Sequence, residues 1–295
     1  MSKHSEIDLS VPVKNRTKEK DDYKRPCDKL NIVDLFVSLQ GEGKYVGVPS
    51  LFIRVSGCNL RCCFKNSICD TAYSSFNPEK GTFTKDDVVA KLMESNVTDI
   101  VITGGEPLMF SEALDDLIEY IGMVTDNDYC ITVETNGTFP PLNNTIDLYS
   151  ISPKLSTSLP IPGKIYEYSI SAKDATMQLP GNNVCHKSFS ENEVAKLNEI
   201  RHNPDAVAAL TDMADFQLKF VYSNNDSLKD IDNFLEELRE RGVNYGPNDI
   251  MLMPEGSTKE QLEKIQLECA NVCIERGWRF ADRLHIRLWG DKRGV

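Results

Sequence analysis

Four of the nine cysteines of this chain, Cys58, Cys62, Cys63 and Cys69, crowd one short loop that follows the apolar run Leu51–Val55. Thiols at this density, in a chain that opens without a secretory signal, are expected to hold metal rather than pair as disulfides, because a reducing compartment keeps them free. Iron–sulfur clusters usually take four cysteines, so a site with three thiolates leaves one iron of a cubane open to a small molecule. Structural zinc competes with that reading, but the second Cys-X2-Cys or His pair of a zinc ribbon or finger does not follow. The plain alternative is that some of these cysteines are small buried hydrophobes.

Past Pro26 the chain alternates β-rich and helical stretches. Strands are expected at Leu51 to Ser56, Ile100 to Thr103, Tyr129 to Glu134, Ile146 to Ser150, Tyr166 to Ser171, Phe216 to Tyr222 and Ile250 to Met253. Helices are expected at Thr84 to Ser95, Ser111 to Val124, Glu191 to Arg201, Ser227 to Arg241 and Ser257 to Arg276, several opened by a capping Ser or Thr. Such alternation implies βαβ units and a parallel sheet. The cysteine loop, Gly104-Gly105-Glu106-Pro107, Thr135-Asn136-Gly137, Ser152-Pro153-Lys154 and Ala172-Lys173-Asp174 each follow an expected strand. Active sites of barrel-like sheets gather at the carboxyl ends of strands, so these segments should share one face. The expected fold is α/β, a partial, open TIM-like barrel of about six parallel strands with flanking helices.

At 295 residues the chain can bury one sizeable core, read as a single catalytic domain over 27–295. Residues 1–26 are dominated by charge, as in Lys14 to Asp22, and are expected to be a mobile tail. The polar stretch 174–204 is longer than most loops and reads as a lid or insertion. A formal net charge of −12 repels a phosphate backbone, which favours a small polar substrate over nucleic acid. No run reaches the length of a membrane span and the N terminus lacks the apolar segment of a signal peptide, so the expectation is a cytoplasmic protein.

The segments Ser38-Leu39-Gln40-Gly41-Glu42-Gly43, Gly47-Val48-Pro49, Phe52-Ile53-Arg54, Gly57-Cys58-Asn59-Leu60-Arg61-Cys62 and Cys69-Asp70-Thr71 resemble the N-terminal signature of the 7-carboxy-7-deazaguanine synthase family, within the radical S-adenosylmethionine (SAM) superfamily. The resemblance continues through Thr103-Gly104-Gly105-Glu106-Pro107, Glu134-Thr135-Asn136-Gly137, Ser152-Pro153-Lys154, Ser171-Ala172-Lys173-Asp174 and Gln217-Leu218-Lys219-Phe220-Val221, covering the chain from about Asn31 onward. It implies a radical SAM core and a reduced [4Fe–4S] cluster that cleaves SAM to a 5′-deoxyadenosyl radical. The implied reaction is rearrangement of 6-carboxy-5,6,7,8-tetrahydropterin to 7-carboxy-7-deazaguanine with loss of ammonia, as in queuosine biosynthesis. A one-electron reductant such as flavodoxin and a homodimer are implied too, and an open sheet has edges to cover.

The superfamily pattern calls for a cysteine at position 65, where Lys65 stands. With Cys58 and Cys62 as the first two ligands, Cys69 is the third, and the last gap has grown by four residues, a bulge of small entropic cost. Cys63 is the rival; adjacent thiolates cannot easily reach two corners of one cubane.

For SAM, the resemblance points to Gly104, Gly105, Glu106, Glu134, Asn136, Ser152, Lys154, Ser171, Lys173 and Gln217. Gly104 and Gly105 would let backbone approach the ligand, a task that a Cβ obstructs. For the substrate it points to Arg54 as a fork for the carboxylate, to Gln40 and Glu42 as readers of the guanine-like edge, and to His285. Thr71 is the implied Mg²⁺ contact, an ion that takes oxygen ligands and keeps waters. Each has a simpler reading: an ion pair for Arg54, a turn for Glu42, a structural histidine at His285, a helix cap at Thr71. Cys269 and Cys273 share a stripe with Leu262 and Ile265 and read as core. Two other functions stay open: a glycyl-radical activating enzyme acting on a protein, which shares the cluster but has no use for a pterin-reading segment, and a non-enzymatic zinc or iron–sulfur binding module.

Overall fold

The structure, a computed structural model, describes residues 30–65, 67–169 and 184–295. Its strands are β1 (Ile32–Leu39), β2 (Pro49–Val55), β3 (Asp99–Gly104), β4 (Cys130–Thr135), β5 (Leu148–Ile151), β6 (Tyr166–Ser169), β7 (Val184–Lys187), β8 (Asp215–Tyr222), β9 (Ile250–Pro254) and β10 (Arg279–Phe280). Its helices are α1 (Ala72–Ser75), α2 (Lys85–Glu94), α3 (Ser111–Val124), α4 (Glu191–Arg201), α5 (Pro204–Met213), α6 (Asn225–Glu240), α7 (Lys259–Arg276) and α8 (Leu284–Trp289).

The central sheet runs in the order β1-β2-β3-β4-β5-β8-β9-β10. From β2 to β10 every pairing is parallel, while β1 lies antiparallel on the edge. Strand order follows chain order, so the sheet curls progressively without closing: β1 and β10 do not pair. This is the expected open barrel.

Alternation along the strands divides two environments. Leu51, Ile53, Ile100, Ile102, Val133, Ile151, Leu218, Phe220 and Leu252 face one core that also takes Leu114 and Leu117 of α3, Phe234 and Leu238 of α6, and Cys269 and Cys273 of α7. The intervening residues Arg54, Thr103, Glu134, Ser150, Lys219 and Met253 face a cavity instead. Register sets them side by side: Arg54 is opposite Thr103, and Glu134 is opposite Ser150. Helices are capped as their sequences dictate, Thr84 with Asp87 at α2, Ser190 with Glu193 at α4 and Thr258 with Gln261 at α7.

Several features depart from expectation. The run at Tyr166 is not a barrel strand; β6 pairs antiparallel with β7 in a separate two-stranded sheet. The edge strand β1 escapes a search for alternation because its register shifts between Ile32 and Asp34. Helix α5 opens on Pro204, a residue favoured in the first helical turn that otherwise reads as a loop marker.

The tail 1–26 lies outside the described residues, as do residues 174–183 of the expected insertion. The described part of that stretch, with β7 and α4, packs against the cysteine loop: Phe189, Val194 and Leu197 surround Cys63 and Tyr166. Among the described residues no helix is long and apolar enough to cross a membrane.

Candidate active site

Between Cys62 and Cys69 the described residues 63–65 and 67–68 pair as a small hairpin. Cys63 and Ile68 form an antiparallel bridge, the Phe64 N–H donates to the Ser67 carbonyl at 2.8 Å, and the Cys69 N–H donates to the Cys62 carbonyl at 3.0 Å. The insertion is thus looped out and Cys69 returns beside Cys62. Cys58, Cys62 and Cys69 line the cavity, whereas Cys63 is absent from its wall and packs with Tyr166 and Phe189. Burial pushes the Cys62 thiol up to about 11 and that of Cys58 higher still, so loading a metal would have to displace protons. Among the described residues no three His, Cys, Asp or Glu side chains converge closely enough for a single metal ion. A cubane takes its thiolates at separate corners, so three soft sulfur donors spread over one wall fit it.

Opposite the cysteines stands the end of β3. A Cβ at Gly104 would run into the carbonyl of Val55 and one at Gly105 into that of Gly57. Their N–H partners are the same loop: Gly105 donates to Val55 O at 3.1 Å and Glu106 to Gly57 O at 2.8 Å. The glycines are therefore required by close packing of β3 on the cysteine loop, which also leaves both on the cavity wall. Gly104 has φ +147°, open to glycine alone.

Glu106 follows these glycines. Its side chain has no exposure and does not line the cavity; it accepts from Leu108 N at 3.0 Å, Thr135 Oγ1 at 2.7 Å and Asn136 N at 2.6 Å. Burial raises its carboxyl to about 7 despite those donors. It positions Asn136, whose Nδ2 donates to Asn59 Oδ1 at 3.0 Å and lies 4.0 Å from Cys58 Sγ. Gln217 is 2% exposed and off the cavity wall, donating to Ser150 Oγ at 2.7 Å and accepting from Lys44 N at 2.7 Å. It anchors the Gly43–Lys44 turn. Ser171 and Lys173 lie outside the described residues.

Ser152 and Lys154 do reach the cavity, with Lys154 Nζ donating to Ser152 Oγ at 2.5 Å. Glu134 accepts from Thr103 Oγ1 at 2.8 Å and from Gln40 Nε2 at 3.2 Å, linking the barrel to the Gln40–Gly43 segment. Glu42 is clasped by Lys219 and by Arg283 Nε at 3.0 Å. Burial alone would raise its carboxyl, but these two cations hold it well below the carboxylate range. Arg283 also pairs with Asp70, so the cysteine loop and the Gln40 segment share one buried guanidinium. The sequence reading missed Lys219, Arg283 and Asp70 as site residues. Lys219, at least, carried a signal, since it faces the same way along β8 as Gln217, which had been singled out.

Arg54 lines the cavity with its Nε buried and without a hydrogen bond, 3.6 Å from Asp34. The ion pair and the cavity role coexist, leaving guanidinium donors for a ligand. His285 packs over Gly41, where a Cβ would strike its ring, and burial lowers its pKa, so the imidazole is neutral at pH 7. Thr71 makes no side-chain cap to α1; its Oγ1 lies 3.4 Å from Cys69 Sγ and borders the cavity. Cys269 and Cys273 are core residues, as expected.

The cavity these groups enclose is about 280 Å³. Its far wall is the C-terminal segment from Gly290, docked through Arg293, which pairs with Asp34 and Glu79 over the Tyr73 ring.

Residues 39–152 match the family described as a 4Fe-4S single cluster domain. The 7-carboxy-7-deazaguanine synthase of Halobacterium salinarum is 37% identical over 264 residues, 89% of this chain and 91% of its own length. The chain belongs to the 7-carboxy-7-deazaguanine synthase family. The family member from Rhodopirellula baltica is 33% identical over 97% of this chain and 96% of its own. The crystal structure of QueE from Escherichia coli shares the fold, with a TM-score of 0.55 at 21% identity over 92% of this chain and 100% of that one. Membership favours the family's enzyme over a glycyl-radical activating enzyme or a non-enzymatic metal module.

Proposed function

We propose that this chain is a radical SAM lyase that converts 6-carboxy-5,6,7,8-tetrahydropterin to 7-carboxy-7-deazaguanine with loss of ammonia. The observation that carries the reading is one cavity lined both by three thiols, Cys58, Cys62 and Cys69, and by Gln40, Glu42, Arg54 and His285. When bound, the cluster and SAM supply the one-electron chemistry that starts the reaction.

In this reading Cys58, Cys62 and Cys69 hold the [4Fe–4S] cluster, and Gly104, Gly105, Asn136, Ser152 and Lys154 surround SAM. Asn136 orients the loop of Cys58 through Asn59, a supporting contact of the kind that tunes metal ligands. Glu106 and Gln217 support rather than touch the cofactor. Arg54 takes the substrate carboxylate. Glu42, kept ionised by Lys219 and Arg283, accepts N–H donors of the guanine-like edge while Gln40 and Glu134 stay hydrogen-bonded beside it. Neutral His285 offers one donor and one acceptor to the same ligand. Thr71 supplies an oxygen to Mg²⁺, whose remaining shell comes from substrate and water.

We place the enzyme in the cytoplasm as a homodimer, reduced by a flavodoxin-like donor, with 27–295 acting as one catalytic domain. The test is anaerobic incubation with 6-carboxytetrahydropterin, SAM and a reductant. Formation of 7-carboxy-7-deazaguanine supports the reading, and an intact cluster that cleaves SAM without forming it overturns it.

A further inference from the structure

Beneath the cysteine hairpin lies a cation that the site described above leaves unused. Arg201, the last residue of α4, is 6% exposed. Its Nη1 donates to Ser158 Oγ at 3.0 Å and its Nη2 to the Leu155 carbonyl. The Ser158 carbonyl in turn accepts from the Cys63 N–H at 2.8 Å, so one serine joins the guanidinium to the hairpin that follows Cys62. Ser158 and Arg201 both act on the Cys62 thiol.

A buried guanidinium asks for an anion, and no carboxylate is in ion-pair contact with Arg201 among the described residues. The groups that can act on it are Cys62, whose thiol stays neutral until a metal takes its proton, and, next, Asp230, which already accepts from Ser156. Burial brings Arg201 down to about 10, still a cation at neutral pH. An isolated charge in this position is costly unless something beside Cys62 is negative. A thiolate-ligated cluster is negative, and becomes more so by one charge on reduction.

We propose that Arg201 is a positioning residue for the cluster, compensating its charge through the Ser158 link and raising the potential at which it accepts an electron. This rests on the reading that Cys58, Cys62 and Cys69 hold the cluster. It also gives the stretch before α5 a function, since α4 carries the cation to the underside of the cysteine loop. Net charge and hydrogen bonding around the sulfurs set cluster potentials, and a cation favours the reduced, more negative state.

The experiment is an anaerobic redox titration of the full, reconstituted chain followed by electron paramagnetic resonance, with iron counted in the same samples. Arg201→Gln should keep its iron and show a more negative potential, the reduced-to-oxidised ratio at the parent midpoint falling about tenfold, equivalent to about 59 mV for one electron. Arg201→Lys, which keeps the charge, should stay near the parent. Asp230→Asn should move the potential the opposite way. Arg201→Gln with full iron and an unchanged potential overturns the proposal. Should Arg201→Gln lose its cluster, Asp230→Asn decides, and an unmoved potential there overturns it. A parent chain that takes up no iron overturns the ligand assignment itself, an outcome distinct from failure at Arg201.

Discussion

Cys69 donates its backbone N–H to the carbonyl of Cys62 at 3.0 Å, and that bond closes the base of a hairpin that absorbs the four residues by which this loop exceeds the superfamily spacing. The bond makes Cys69 and Cys62 neighbours in space although six residues part them in sequence. The same hairpin turns Cys63 away, into contact with Tyr166 and Phe189.

Iron counts on single alanine variants should follow that division. Cys58→Ala, Cys62→Ala and Cys69→Ala are expected to lose the cluster. Cys63→Ala should keep it and lose only about 1 kcal/mol of stability, the scale of deleting a small buried group. Retention of iron by Cys69→Ala with loss in Cys63→Ala would reverse the assignment.

Arg54→Ala should weaken substrate binding by about 2–5 kcal/mol, as when one partner of a buried, hydrogen-bonded charge pair is truncated. Uncoupled SAM cleavage should persist, because Arg54 is proposed to hold the substrate and not the cofactor. Equal substrate affinity in parent and variant removes Arg54 from the site.

Glu42 and Asp70 should give the fold an acid limit. Both carboxyls sit below their ordinary values: burial opposes this, but Lys219 and Arg283 outweigh it at Glu42, and Arg283 does so at Asp70. A group whose pKa is depressed on folding contributes stability that is present above its unfolded value and is lost as pH falls. Denaturant midpoints should therefore drop as pH is lowered below 4.5 for Glu42 and 3.8 for Asp70. Arg283→Met should flatten that slope and cost about 3–5 kcal/mol at neutral pH, since it strands the largely buried Glu42 carboxylate. A slope unchanged in Arg283→Met would show that Arg283 does not hold these carboxyls ionised.

Thr71→Ala should lose most of any dependence of rate on added Mg²⁺ while keeping its iron. The Thr71 hydroxyl is free of capping duty and borders the cavity, and Mg²⁺ prefers such oxygen donors. Identical Mg²⁺ titrations of parent and variant would place the ion elsewhere.

The barrel strands were legible because alternation survives in them: Ile100 and Ile102 face the core while Thr103 turns to the cavity. What stayed hidden depends on contacts distant in sequence. The bulge in β1 scrambles its pattern, and β6 looks like any other strand until β7 pairs with it. At the site, segments that carry chemistry-bearing residues were visible in the sequence, yet the direction each side chain takes was not. Glu106 turns inward because Thr135, Asn136 and Leu108 supply donors there. Arg283 joins Glu42 and Asp70 across more than two hundred residues, a partnership that no local pattern announces.

The function proposed for the cavity is conversion of a carboxylated pterin into a deazaguanine. Its most direct measurement is mass-resolved product analysis of the iron-loaded chain incubated anaerobically with 6-carboxy-5,6,7,8-tetrahydropterin, SAM and a reductant. The expected products are 7-carboxy-7-deazaguanine and ammonia, with the deazaguanine lost in Cys62→Ala. Iron-loaded protein that cleaves SAM yet returns the pterin unchanged would contradict it.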